Sequence, residues 1–177
     1  MINAVLIIIG FVLLTAYVSI EWIVNKDVPT SISNSFYIYN EKKKGLGYVF
    51  TIFMFIEAYL MVVPMIDMGT DTTWQFLGFL CPAGIAFCGS APLSRGVTLE
   101  SKVHVVGATS AAILGLIWCF VYCKPIIVCD ILITYLFAVT MTAWYTDTVE
   151  KCRTFWVELL AFPSILTVML GKSLGVL

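Results

Sequence analysis

Glu57, His104 and Glu158 are the residues whose types and positions ask most clearly for chemistry, because each lies inside or at the edge of a long apolar run. A charged carboxylate costs about 2.5 to 3.5 kcal/mol to bring to the centre of a membrane helix, so such a group turns toward the bundle interior or a wet cavity. There it can bind a proton or cation, anchor a ligand or act as a general acid/base. Glu57 lies about eleven positions into its run, roughly 16 Å at 1.5 Å per residue, which puts it near mid-membrane. The plainer alternative is an interhelical hydrogen bond that only fixes packing.

His104 is the only histidine, and Gly107, Ala108, Ala111 and Gly115 follow it at three- and four-residue spacing. Such a face of small residues lets helices approach closely, which directs His104 into the bundle. Glu158, about one turn into the last apolar run, and Glu21, at the end of the first, fall at the same expected level. These three can form a polar cluster. It would be either a protonatable site or a structural His and carboxylate pair beside a snorkelling side chain.

A hydroxyl-rich stretch, Thr30, Ser31, Ser33, Asn34 and Ser35, runs into Phe36, Tyr37 and Tyr39 and then Lys42, Lys43 and Lys44. A helix N-terminus here could hold an anionic lipid group together with the lysines, or the hydroxyls could simply cap an interfacial helix. Ser33, Tyr37 and Arg95 therefore join Glu57, His104 and Glu158 as ligand-binding candidates. The chain contains no Walker-type phosphate loop, no His-Glu-x-x-His pair and no Gly-x-Ser-x-Gly elbow, so no catalytic residue, metal ligand or cofactor is assigned. A serine hydrolase built from Ser90, Ser110 or Ser164 with His104 is the enzymatic alternative, against which stands the habit of helical serines to bond their own carbonyls.

The elements that must position these groups are long helices. Of 177 residues, 60% are hydrophobic and 12% charged, and the mean hydropathy is +0.98, well outside the range of soluble domains. Six stretches reach span length, near residues 2–24, 46–66, 74–91, 103–122, 125–144 and 153–170. They do not alternate like barrel strands, and backbone groups in lipid must pair within their own segment, which leaves helices. An all-α polytopic transmembrane bundle of one domain is expected, with about six spans and a short interfacial helix after the first. The third span is short and interrupted by Pro82, Gly84 and Gly89, so a kink is expected there. Pro64 and Pro163 free further carbonyls. No repeat, linker or soluble domain is visible.

The net charge of −1 offers no nucleic-acid surface, so nucleic acid is excluded as a partner. Membrane lipids are the expected partners, a homo-oligomer is compatible with the composition, and the small-molecule or ion ligand is left open. Cys81, Cys88, Cys119, Cys123, Cys129 and Cys152 match no metal spacing and read as small hydrophobes. Cys119, Cys123 and Cys129 fall near one face, where an oxidising compartment would permit a disulfide. The first run lacks a basic leader and an Ala-x-Ala end, so it reads as a retained helix.

Eight Lys and Arg lie in the connections after spans one, three and five (Lys26, Lys42, Lys43, Lys44, Arg95, Lys102, Lys151, Arg153), against Lys124 and Lys172 elsewhere. The positive-inside rule then puts those loops in the cytoplasm, with both termini outside an inner cell membrane. Trp22, Trp144 and Trp156 fall at the inner boundary and Trp74 and Trp118 toward the outer one, as an aromatic belt would. Asp130 is expected to pair with Lys124.

Three short elements carry a family resemblance: Pro29-Thr30-Ser31-Ile32-Ser33-Asn34-Ser35-Phe36-Tyr37, Gly89-Ser90-Ala91-Pro92 and His104-Val105-Val106-Gly107-Ala108. They resemble small six-helix membrane proteins of bacteria and prophages, themselves distantly similar to DRAM-like eukaryotic proteins. The resemblance implies the six-helix architecture and weight for the serine-rich segment and His104; it implies no activity. The residues themselves support three functions: a cytoplasm-facing cavity lined by Glu57, His104 and Glu158 that binds or transports a small molecule, lipid or ion; an intramembrane hydrolase acting on lipid; or a structural, partner-binding subunit.

Overall fold

The computed structural model describes residues 1–96 and 98–177. Among them are seven α-helices and no strand: α1 (Ile2–Asn25), α2 (Ser35–Lys42), α3 (Tyr48–Met68), α4 (Phe76–Ser90), α5 (Leu99–Tyr122), α6 (Pro125–Tyr145) and α7 (Arg153–Ser173). A single 3-10 turn, Ile32–Asn34, precedes α2. Five helices, α1, α3, α5, α6 and α7, are long and apolar enough to cross a membrane. The chain is thus a helical membrane bundle. The third expected span is α4, whose 15 residues extend about 22 Å, short of a hydrocarbon core of about 30 Å.

Local chemistry sets the boundaries. Lys26 takes a left-handed conformation (φ 59°) after α1 and returns its amide to the Trp22 carbonyl, a C-terminal closure that ends the helix although no glycine follows. Thr98 caps α5, its hydroxyl accepting from the Ser101 amide, with Glu100 in the first turn. Pro125 opens α6, where its missing amide costs nothing. Pro64, Pro82 and Pro163 all sit inside continuous helices; breaks at these positions do not occur.

Helices α3, α4, α5 and α7 surround the interior, α1 packs behind α3 and α7, and α6 lies outside against α7. The closest approach is between α4 and α5. A Cβ on Gly84 would lie 2.8 Å from the Ala111 amide and the Gly107 carbonyl oxygen, and one on Gly107 would lie 2.8 Å from the Cys88 amide and the Gly84 carbonyl oxygen. The small-residue face expected on α5 is therefore a backbone-to-backbone contact. By contrast α6 buries only Val128 and Ala143.

The segment between α1 and α3 folds inward. Val28, Ile32, Ser33, Ser35, Phe36 and Tyr39 are buried, so the short helix α2 forms where expected, but with one side sealed against the bundle rather than resting on it. Hydrogen bonds to its backbone tie this segment to the start of α7: the Phe155 amide donates to the Thr30 carbonyl at 3.2 Å and the Cys152 thiol to the Val28 carbonyl at 3.3 Å. The first of these occupies one of the free amides that every helix N-terminus leaves.

Three expectations about surface groups change. Trp118 is fully buried and Trp156 nearly so; the latter donates Nε1–H to the Thr148 hydroxyl, so both pack inside instead of joining a lipid-facing belt. Lys124 and Asp130 form no ion pair, and the one salt bridge among the described residues joins Lys151 to Asp27 at 2.8 Å. That hydrogen bond holds the Asp27 carboxyl below its ordinary range, so the pair is intact at neutral pH and is lost as pH falls through the lowered value. Both side chains are exposed, which limits its contribution. All six cysteines are free thiols, with only Cys129 exposed.

Gly107→Val drives a side chain into the α4 backbone and is expected to destabilise the bundle by about 1 to 3 kcal/mol. Ala138→Val, on the exposed side of α6, should change it by less than about 0.5 kcal/mol. Thermal melts in detergent compare the two; equal melting temperatures would contradict the close α4–α5 packing.

Candidate functional site

A cavity of about 380 Å³ lies between α3, α4, α5 and α7. Its walls are apolar for most of their length, from Phe50, Phe53, Met54 and Met61 on α3 to Ile85 on α4 and Ile165 on α7. Its polar groups gather at one end, where Ser33, Arg153, Thr154 and Glu158 meet it. This is the end bearing the Lys- and Arg-rich loops. On the α5–α7 side the lining comes from Ala108, Thr109, Ala112 and Ile113 of one helix and Thr154, Val157, Ala161 and Phe162 of the other, and of these Thr109, Ile113, Thr154 and Val157 are exposed. The seam closes lower down, where Ile165 packs against Gly115. The cavity therefore opens sideways, toward the surroundings of the helices.

Glu158 is positioned by the inward-folded segment. Its Oε2 accepts the Ile32 amide at 2.6 Å, at the start of the 3-10 turn, where the amides are unpaired by the turn itself. The turn is held from above by the Ser31 hydroxyl, which accepts from the Asn34 amide, and from the side by Tyr17, whose hydroxyl lies 2.6 Å from Ser35 Oγ. Ser35 Oγ in turn donates to the Ile32 carbonyl at 2.7 Å. Tyr17 thus spends its proton on Ser35, and its ring stacks on Phe53 with centroids 3.9 Å apart.

Behind Glu158 lies Glu21, which is fully buried. It is close enough to Glu158, Tyr17 and Tyr39 for their charges to interact and lies beside the Ser35 amide. Neither of its oxygens has a hydrogen-bond partner of good geometry among the described residues. At the start of the turn the acceptor is thus a side chain of the protein itself, Glu158, while Lys42 to Lys44 lie at the far end of α2.

The other candidates divide differently from the expected grouping. His104 is buried, but its Nδ1 lies 2.9 Å from the Ala91 carbonyl oxygen and 3.1 Å from that of Cys88, with Cys88 Sγ 3.5 Å from Nε2. An Nδ1–H there donates to the free carbonyls at the C-terminus of α4, so His104 caps a helix and does not line the cavity. Glu57 is fully buried, with both oxygens unpartnered among the described residues. It turns toward α1, where its Oε2 lies 3.1 Å from the place a Cβ on Gly10 would occupy, and not toward the cavity. Tyr37 and Arg95 meet each other at the surface: the Arg95 amide donates to the Tyr37 hydroxyl at 2.8 Å, the guanidinium covers the Tyr37 ring at 4.2 Å and it also bonds the Asn34 side chain. They latch the α4–α5 loop onto α2.

Of the six candidates, then, Glu158 and Ser33 share the cavity. The contribution of Phe50, Phe53, Arg153 and Thr154 was not anticipated, and only the level of Arg153 beside Glu158 in the sequence could have signalled it. No serine meets His104: Ser90, Ser110 and Ser164 donate to the carbonyls of Phe87, Gly107 and Leu160 in their own helices. The described residues hold no group of three or more His, Cys, Asp or Glu side chains placed to bind a metal ion. Comparison with protein families, with characterised proteins and with solved structures finds no match.

Two substitutions separate the structural groups from the cavity. His104→Ala leaves two helix-end carbonyls without a donor, at an expected cost of about 1 to 3 kcal/mol, with faster amide exchange localised to residues 88–93. Glu57→Met removes an unpaired buried carboxyl and is expected to raise the melting temperature; a marked fall would reveal a partner for Glu57.

Proposed function

We propose that this membrane protein binds a lipid or another single-chain amphiphile in the cavity between α3, α4, α5 and α7, with the polar group at the Glu158 end and the chain along Phe53, Met61 and Ile165. The observation that carries this reading is the shape and lining of the cavity: one apolar length, one polar end. A volume of about 380 Å³ falls within the ordinary range of ligand pockets, about 300 to 1,000 Å³. A freely diffusing ion would gain nothing from such walls, whereas an acyl chain arriving from the bilayer gives an otherwise unfilled apolar cavity its van der Waals contacts. The seam between α5 and α7 supports entry from the bilayer, since residues along it are themselves exposed.

The polar end coincides with the loops carrying eight of the ten basic residues, so the ligand would be drawn from the cytoplasmic leaflet, with both termini on the other side. The segment that carries the resemblance to six-helix prophage proteins, residues 29–37, is the one that roofs the cavity. The hydrolase alternative gains no support from the serine and histidine geometry. A purely structural role is the reading to which an empty, inaccessible cavity would lead.

Ala112→Phe places a ring in the seam. Native mass spectrometry after mild detergent extraction should show lipid retained by the unmodified chain and occupancy reduced about tenfold in this variant, equivalent to about 1.4 kcal/mol. Ile133→Phe on the exposed side of α6 should retain lipid normally. Equal retention by both variants, at equal melting temperature, would overturn the proposal.

A further inference from the structure

We infer that the polar group recognised at the Glu158 end of the cavity is a protonated amine. This rests on the amphiphile reading above and specifies the chemistry of its head. Two carboxylates, Glu21 and Glu158, lie within one another's field at the basic end of the bundle. The interactions set against them are few. Glu158 accepts one backbone amide, and Glu21, with no exposed surface, has two oxygens without a partner among the described residues. The hydroxyls nearby are already committed, since Ser35 donates to the Ile32 carbonyl and Tyr17 to Ser35. No salt bridge among the described residues involves either carboxylate.

A carboxyl shielded from water either takes up a proton or keeps its charge against a cation brought to it, so an ammonium arriving here would find an acid able to ionise against it. An ammonium head entering from the seam would meet Glu158, the acidic side chain on the cavity wall, with the Ser33 hydroxyl beside it. Phe50 lines the same end; aromatic rings attract an ammonium through their quadrupole and repel a carboxylate. Phe50 stands in the first turn of α3 and Glu158 in the second turn of α7, so the acid and the ring lie at one level. Arg153 is the basic residue of the lining; its side chain is exposed and forms a salt bridge with neither carboxylate. Glu21 is not among the residues lining the cavity; it lies within the field of Glu158 and bears on the head site only through it.

The experiment compares three chains of equal length, dodecylamine, dodecanol and dodecanoate, at equal mole fraction in detergent micelles, as competitors for lipid retained by the full-length protein. The amine is expected to compete at least about tenfold better than the alcohol, with the carboxylate weakest. Glu158→Gln should abolish the preference for amine over alcohol while leaving alcohol competition intact, and Glu21→Gln should reduce it. Because the preference is measured on the unmodified chain first, a variant that fails to fold leaves the decisive comparison in place. If all three chains compete equally, or the carboxylate competes best, the amine inference falls and the cavity reading stands. If none displaces lipid, the cavity reading falls with it. An amine preference that survives Glu158→Gln would overturn the assignment of this head site.

Discussion

The hydrogen bond from the Ile32 amide to Glu158, together with the hydrogen bonds that join residues 28–30 to the start of α7, is the interaction on which the interior depends. In hydrocarbon a loop cannot leave its amides and carbonyls bare. The segment after α1 meets that demand by folding inward and pairing with the first turns of α7, the place where a helix has amides to spare. These contacts thus satisfy a loop, a helix terminus and a half-buried acid together. It also roofs the cavity and fixes which end of it is polar.

The α5 helix shows how one run of small residues serves two purposes. Gly107 and Ala111 bring its backbone against α4, while Ala108 and Ala112, one position further round, leave space that α7 does not fill. Leucines at those positions would fill the space between α5 and α7 with side chains. The cavity is therefore a packing defect of definite shape, bounded by a contact so tight that it cannot relax to fill it.

Much of the fold was legible because long apolar runs have few physical outcomes. The positions of the helices, the short helix after α1 and the inward direction of Glu158 and His104 all follow from hydropathy and spacing. What spacing could not supply was azimuth. Glu57 and Phe53 stand four residues apart on α3 and both reach α1, at Gly10 and at Tyr17, yet only Phe53 also lines the cavity, a difference of position that spacing does not resolve. His104 was expected beside an acid and instead meets carbonyls, because the end of α4, only 15 residues long, falls inside the bundle and needs a donor there. Trp118 looked like a boundary residue from its position alone, and only its neighbours reveal that it is interior. The convergence of Glu21 and Glu158 was legible in level, though not the turn of backbone that stands between them.

The peripheral place of α6 bears on how the sideways opening behaves. The two edges of that opening belong to α5 and α7, and the polypeptide passes from one to the other through α6, a 21-residue helix that buries little of itself. A short hairpin would have clamped the edges at a fixed spacing. A long connector that buries only Val128 and Ala143 leaves their spacing to be set by the neighbours on which each edge is seated, α4 beneath α5 and α1 and α3 beside α7.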